Sequence, residues 1–220
     1  MNKNLIKDII IGMSDGLTVP FALTAGLSGV IHSNNVVVIA GMAEIAAGCI
    51  AMGLGGFLAG ETEVHYYNDL LKKEYLAIEN NPKEEIKHVE DAFLAFGVDE
   101  NLTKQVSAQI TSNKDNWVDF MMQIELKVEK PHKSRAAVSA VTIGLSYLIG
   151  GLIPLLPYML TSTIAEGFKY SCIFTMLSLI IFGFLKSKFT GQPLFKGTIK
   201  VAAIGIIAAA SAYFLAKSIN

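Results

Sequence analysis

The sequence predicts an all-α membrane protein with five transmembrane helices and a helical cytosolic insert between spans two and three. Three observations predict it. Of the 220 residues, 52% are hydrophobic, and the mean hydropathy is +0.46, too apolar for an ordinary soluble domain. The charges are segregated: of the 19 acidic residues, all but Asp8, Asp15, Glu44 and Glu166 fall between Glu61 and Glu129. The apolar runs on either side of that polar stretch are long enough for a bilayer, which needs roughly 20 residues per crossing. The expected division is residues 1–64 for spans one and two, 65–132 for the insert, and 133–220 for spans three to five.

Span one is expected from Leu5 to Ile31. Lysines precede it, but Asp15 interrupts the apolar run and no A-x-A cleavage site follows, so it reads as a retained helix and not a signal peptide. His32, Ser33, Asn34 and Asn35 have the composition of a turn and end it. Span two runs from Val36 to Gly60, broken only by Glu44; because Glu61 to Asn80 lacks both Gly and Pro, the helix should continue beyond the membrane.

Within the insert, Pro82 to Phe96 reads as a helix with Asn81 as its N-cap, Pro82 at its first position and Gly97 ending it. Glu100 to Ser112 and Asp115 to Lys130 read as two more, the last stopped by Pro131. In that last helix Val118, Met121, Met122, Glu125 and Val128 recur at helical steps along one face. Ala136 to Met159, Tyr170 to Leu185 with its flanks, and Thr198 to Leu215 complete the five spans.

Cation placement orients them. Lys3 and Lys7 precede span one, Lys127, Lys130, Lys133 and Arg135 precede span three, and Lys186, Lys188, Lys196 and Lys200 lie between spans four and five. The loop after span one has no Lys or Arg, and the loop after span three has only Lys169. By the positive-inside rule the N-terminus and insert are cytosolic. Small residues at four-residue steps, Ala43, Ala47, Ala51, Gly55 and Ala59 in span two and Ala22/Gly26 and Ala25/Gly29 in span one, predict close packing of these two helices within a chain or across a dimer.

Charges inside apolar spans cost at least a few kcal/mol, roughly 2.5–3.5 on the most lenient scale, and are kept for a task. Asp15 and Glu44 are such charges. Asp8 and Asp15 are two turns apart on one helical face, about 10 Å along the axis. Glu44 and Met52 are separated by roughly 80° around span two, close enough to border one channel. Carboxylates suit hard or borderline divalent ions and carry protons, whereas a thioether selects softer metals. An Asp, a Glu and a Met along one path fit a transition metal exchanged for protons. The plain structural readings stand beside this: a membrane Met packs, as Met13 and Met42 are expected to, and Asp15 caps a broken helix near the Gly-rich turn.

Other classes have little support. Cys49 and Cys172 sit in apolar segments without metal-site spacing and read as buried hydrophobes. No nucleophile and base pairing and no G-x-x-x-x-G-K-[ST] loop occurs, so neither an enzyme nor an ATP-driven pump is expected. No nucleic-acid partner is expected.

The words DGLTVPFALTAGLSG (Asp15 to Gly29) resemble the first transmembrane helix of the vacuolar iron transporter family. The resemblance extends through AEIAAG, AMGLGGFLAGE, MMQIEL and GGLIPLLPY in the right order. It implies export of ferrous or similar divalent ions from the cytosol in exchange for protons, by a homodimer whose path lies between subunits. It implies a path lined by Asp15, Glu44 and Met52. It also implies a metal-collecting cluster in the insert, matched here by Glu74, Ala77, Glu85, His88, Met121, Met122 and Glu125. Two positions depart from the pattern: Ala77 has no ligand atom and His88 replaces an acid.

Glu85 and His88 form an E-x-x-H pair on one helical face, a ligand spacing of di-iron bundles. Met121 and Glu125 are one turn apart on another helix and are placed to face it. Neutral histidine is a good ligand for Fe, Zn, Ni or Cu, and binding through it weakens under mild acid. The alternative is the solvated face of an acid-rich bundle. Met52, Glu63 and Glu74 recur at eleven residues and return to within about 20° of one helical face.

The expectation is therefore a proton-coupled exporter of Fe²⁺ or a related ion (Mn²⁺, Co²⁺, Ni²⁺ or Zn²⁺), with no permanently bound cofactor and H⁺ as counter-ion. Asp15 and Met52 would bind the ion, Glu44 would exchange protons, and Asp8 would lie on the path. A metal-gated channel and a membrane-anchored metal sensor are the rivals. The short N-terminal lead favours a prokaryotic plasma membrane over a vacuolar one.

Overall fold

The computed structural model describes residues 3–219. Five helices are long and apolar enough to cross a membrane: α1 (Lys3–Ser28), α2 (Asn34–Asn80), α6 (Arg135–Leu160), α7 (Ile164–Thr190) and α8 (Leu194–Ile219). Between α2 and α6 lie α3 (Pro82–Ala95), α4 (Glu100–Thr111) and α5 (Lys114–Phe120), the last continuing into a π-helical turn over Met121–Glu125. No strand occurs among the described residues. The fold is that of an all-α membrane protein. It divides into two compact units, one running to Leu58 and resuming at Ala136, the other Ala59–Arg135.

In the first unit glycines bring α6 against both α1 and α2. A side chain at Gly12 would run into the carbonyl of Ile143, and one at Gly16 into the backbone of Tyr147. A Cβ at Gly48 would stand 2.5 Å from the Tyr147 ring, and one at Gly144 would stand 3.0 Å from the carbonyl oxygen of Cys49. Such approaches are how apolar helices associate in lipid.

Helix α8 runs beside α1 and α7. Leu17, Leu179 and Val201 form one buried cluster, and Phe21, Ala25 and Ala209 another. The small-residue face of α1 thus meets α8: a Cβ at Gly26 would lie 3.2 Å from the carbonyl oxygen of Ala212. Within the chain that face thus pairs with α8 and not with α2, one of the two arrangements expected, since four-residue spacing says that a helix approaches closely but not which one. The corresponding stripe of α2 stays open within the chain; Gly55 has nothing within 4 Å of its would-be side chain, and Ala43, Ala47, Ala51 and Ala59 are exposed.

Prolines inside α6 remove the donors to the carbonyls of Gly150 and Ile153, and hydroxyls bond the carbonyls of the prolines themselves. Ser171 donates to the Pro154 carbonyl at 2.7 Å, and Thr161 to that of Pro157 at 2.8 Å. Near the ends of the same helices Ser28 and Tyr158 hydroxyls meet at 2.7 Å, and Asn34 Nδ2 donates to the Thr161 carbonyl at 2.8 Å.

The second unit has its own core: Tyr67 and Ile78 of α2, Val89 of α3, Trp117 and Val118 of α5, and Met121 and Met122. Asp99 caps α4 through Asn101 N and Leu102 N, and Asn113 caps α5 through Asn116 N. Asn81 stands at the N-cap of α3 but makes no capping side-chain bond; Pro82 at the first position removes one donor that a cap would serve.

The helix expected to reach Lys130 ends at Glu125. Its last turn widens to π geometry, Leu126 N bonds the Met121 carbonyl at 2.9 Å and Val128 N the Met122 carbonyl at 2.9 Å. Lys127 then takes φ 54°, a left-handed conformation that closes the helix.

Candidate functional site

In the first unit the acid of span two is held by a residue that sequence reasoning passed over. Tyr147 of α6 is only 2% exposed, and its Oη donates a hydrogen bond to Glu44 Oε1 of α2. The other carboxylate oxygen, Glu44 Oε2, is buried and has no partner among the described residues. Tyr147 therefore ties α6 to the acid of span two. A buried tyrosine needs a partner for its hydroxyl, and that need was the available signal in the run GLSYLIGG.

Backbone geometry makes the approach possible. Gly16 and Gly48 are the residues without side chains against which Tyr147 lies. Pro20, inside α1, cannot donate to the carbonyl of Gly16, one residue from Asp15. Asp15 and Met52 are partly buried. Asp8 is 2% exposed and takes part in interactions of its own.

In the second unit His88 of α3 and Glu125 of the π turn are joined, Nδ1 to Oε1, at 2.6 Å. The bond to Glu125 raises the histidine above its ordinary value, against the opposing effect of burial. Glu74 of α2 is raised first by burial and then by the charges of Glu85 and Glu125, with His88 acting the other way. Burial likewise raises Glu85; His88 lowers it and Glu125 raises it further. Glu74 Oε2 is buried without a hydrogen-bond partner among the described residues. Three carboxylates on three elements thus crowd one imidazole.

The crowding stops short of a finished coordination sphere: among the described residues no three acids, histidines or cysteines stand together at metal-holding geometry. Met121 and Met122 are 1% exposed and sit in the apolar core with Trp117 and Val89, while the side chain of Glu125 in the same turn reaches His88. Ala77, as its identity requires, supplies no ligand. Glu63 is engaged elsewhere in its unit: Arg135 Nε donates to its Oε2 at 3.1 Å. His65 lies 4.0 Å from Glu61 on the outer face of α2.

Residues 6–217 match the family model described as the VIT family. The chain is 44% identical over 216 residues to vacuolar iron transporter 1 of Oryza sativa subsp. japonica, covering 98% of this chain and 86% of that protein. It is also 44% identical over 216 residues to vacuolar iron transporter 1 of Arabidopsis thaliana, with the same coverage of each. Protein CCC1 of Saccharomyces cerevisiae is 36% identical over 227 residues, covering 99% of this chain and 70% of that protein.

Proposed function

The chain belongs to the VIT family, and we propose that it moves Fe²⁺ or a related divalent transition metal out of the cytosol in exchange for protons. The observation that carries this reading is the arrangement at Tyr147: one oxygen of Glu44 is held by the phenol, and the other is buried with no partner among the described residues. A buried carboxylate with an open oxygen has two ways to be satisfied, a proton or a cation. An exchanger needs a group that alternates between those two states.

In this reading Asp15 and Met52 bind the ion, Glu44 exchanges protons beside them, and Asp8 lies on the path two turns along α1. The thioether of Met52 favours a transition metal over Mg²⁺ or Ca²⁺. The insert collects metal through Glu74, Glu85, His88 and Glu125, with Met121 and Met122 as softer ligands once their packing opens. The open small-residue stripe of α2 is the surface through which two copies pair. The relatives' names, vacuolar iron transporter in plants, support iron as cargo. They lend no support to the plasma membrane expected from the short N-terminal lead. No resident cofactor and no enzymatic step enter this account.

The test is Fe²⁺ uptake into sealed vesicles holding the purified chain under an imposed pH gradient, with Asp15→Ala alongside. Uptake that follows the gradient and disappears in Asp15→Ala is the expected result. Flux indifferent to the gradient would replace the exchanger by a metal-gated channel. Absence of uptake in both, with metal still bound by the chain, would replace it by a sensor.

A further inference from the structure

One end of the first unit carries six lysines: Lys3 and Lys7 of α1, Lys186 and Lys188 of α7, and Lys196 and Lys200 of α8. Packing gathers Lys7, Lys188 and Lys196 around the α7–α8 turn, with Lys3 beyond it and Lys186 and Lys200 one to two helical turns further in. Ser187 Oγ lies where a side chain on Gly197 would go, and a Cβ at Gly183 would stand 3.0 Å from Thr198 Cα, so the end of α7 and the start of α8 are in contact. Gly191, at φ 67°, makes the turn between them. Helix α1 runs parallel to α8, as the pairing of Gly26 with Ala212 and the cluster of Leu17 with Val201 require. Stepping back along both helices from Gly26 and Ala212 sets Lys7 beside Pro193 in the turn.

The sequence has no acid between Lys186 and Lys200, and among the described residues no ion pair is formed by any of the six lysines. The opposite end carries fewer cations, Lys169 and Lys217, with Glu166 one turn from Lys169. A lone lysine cluster is often no more than a solvated surface. Here large apolar side chains are interleaved with it: Phe189 is 55% and Phe195 77% exposed, and Leu194 is open as well. Exposed aromatic rings beside lysines at the ends of spanning helices belong at the boundary between acyl chains and headgroups, where lysine stems extend and their ammonium groups reach phosphate.

We propose that the lysine and phenylalanine collar at the α7–α8 turn binds anionic phospholipid headgroups. Phosphates sit among Lys186, Lys188, Lys196 and Lys200, the acyl chains pass Phe189 and Phe195, and Lys3 and Lys7 extend the positive surface along α1. The partner is a lipid because the rings need an apolar neighbour that a soluble phosphate does not supply. The proposal is independent of the transported ion.

The experiment is native mass spectrometry and thermal unfolding of the purified full chain, with phosphatidylglycerol or phosphatidylcholine added at equal concentration. Phosphatidylglycerol is expected to bind more tightly, to raise the unfolding midpoint, and to lose its advantage in high salt. Each lysine near an anionic surface contributes roughly fivefold in affinity, so K186Q/K188Q and K196Q/K200Q should each lose on the order of tenfold or more, and the four Lys→Arg changes should retain binding. The Lys→Arg variants keep the test open if either Gln pair does not fold. Equal binding of the two lipids, or an unchanged preference in both Gln pairs, overturns the proposal. Displacement of phosphatidylglycerol by equimolar inorganic phosphate would also overturn it, marking a soluble phosphate site instead.

Discussion

Tyr147 Oη of α6 donates to Glu44 Oε1 of α2, while Glu44 Oε2 is buried with no partner among the described residues. Its position makes Tyr147 a positioning residue for the proton-exchanging acid. Tyr147→Phe keeps the ring against Gly48 and removes only the donor. A hydrogen bond to a charged group contributes about 1.5–3 kcal/mol, so Fe²⁺ uptake should fall about tenfold or more while the chain stays folded. The pH profile of uptake should change as well, because the donor now missing discriminated between the two states of Glu44. Unaltered rate and profile in Tyr147→Phe would remove the tyrosine from the mechanism.

The two faces of small residues should respond differently to enlargement. At Gly16 a methyl group meets the backbone of Tyr147, which cannot step aside as a flexible side chain does; overpacking of this kind costs about 1–3 kcal/mol. Gly16→Ala should lower the unfolding midpoint and, by moving Tyr147 away from Glu44, the transport rate. Gly55 faces open space within the chain, so Gly55→Ala should leave the midpoint unchanged. If the α2 stripe is where copies meet, Gly55→Leu should weaken pairing in size-exclusion or cross-linking measurements. Dimers that survive it intact would place the contact elsewhere.

How much of this was legible in the sequence depends on what each residue answers to. The spans and the acids within them were legible because a carboxylate in an apolar run stands out and the cost of placing it there is local. Tyr147 was not, since an aromatic residue among apolar ones reads as packing until its hydroxyl is seen to reach Glu44 on another helix. The small residues of α1 announced a close neighbour but not that it was α8. The end of the helix at Glu125 was hidden for a similar reason: Leu126 to Lys130 contains no breaker, and the stop is made by the π turn and the bonds of Leu126 and Val128 to Met121 and Met122. That turn is also what separates the buried methionines from Glu125, two sets that simple periodicity placed together.

The insert should lose stability as pH rises. His88, Glu74 and Glu85 all have folded-state values above their ordinary ones. A group whose value is raised on folding contributes stability that is full below its unfolded value and lost as pH climbs through the folded one. For the glutamates that loss begins near the ordinary carboxylate range, about 4.3, and for His88 near about 6.5. Hydrogen exchange on the full chain without metal should therefore show residues 82–126 least protected at the alkaline end of a series from pH 5 to about 8.5. Added metal should restore protection most where protons have left. Protection that rises steadily with pH in the metal-free chain would contradict this.

His88 separates the insert's metal role from its structural one. In His88→Gln the amide can still donate to Glu125, so packing of the π turn against α3 should persist, while a strong metal ligand is lost; outer and inner ligand changes typically reduce metal affinity about 10–100-fold. His88→Glu instead restores an acid at a position where the family pattern has one. It should retain metal binding but flatten its dependence on pH near neutrality, because the group that titrates there has been removed. It should also raise the repulsion among Glu74, Glu85 and Glu125, so the metal-free insert should become less protected than in the unmodified chain. Titration of the full chain with Zn²⁺ or Fe²⁺ by calorimetry at pH values on both sides of about 6.5 checks both variants. Equal affinities in His88→Gln and the unmodified chain at all pH values would mean that the imidazole holds the π turn and nothing more.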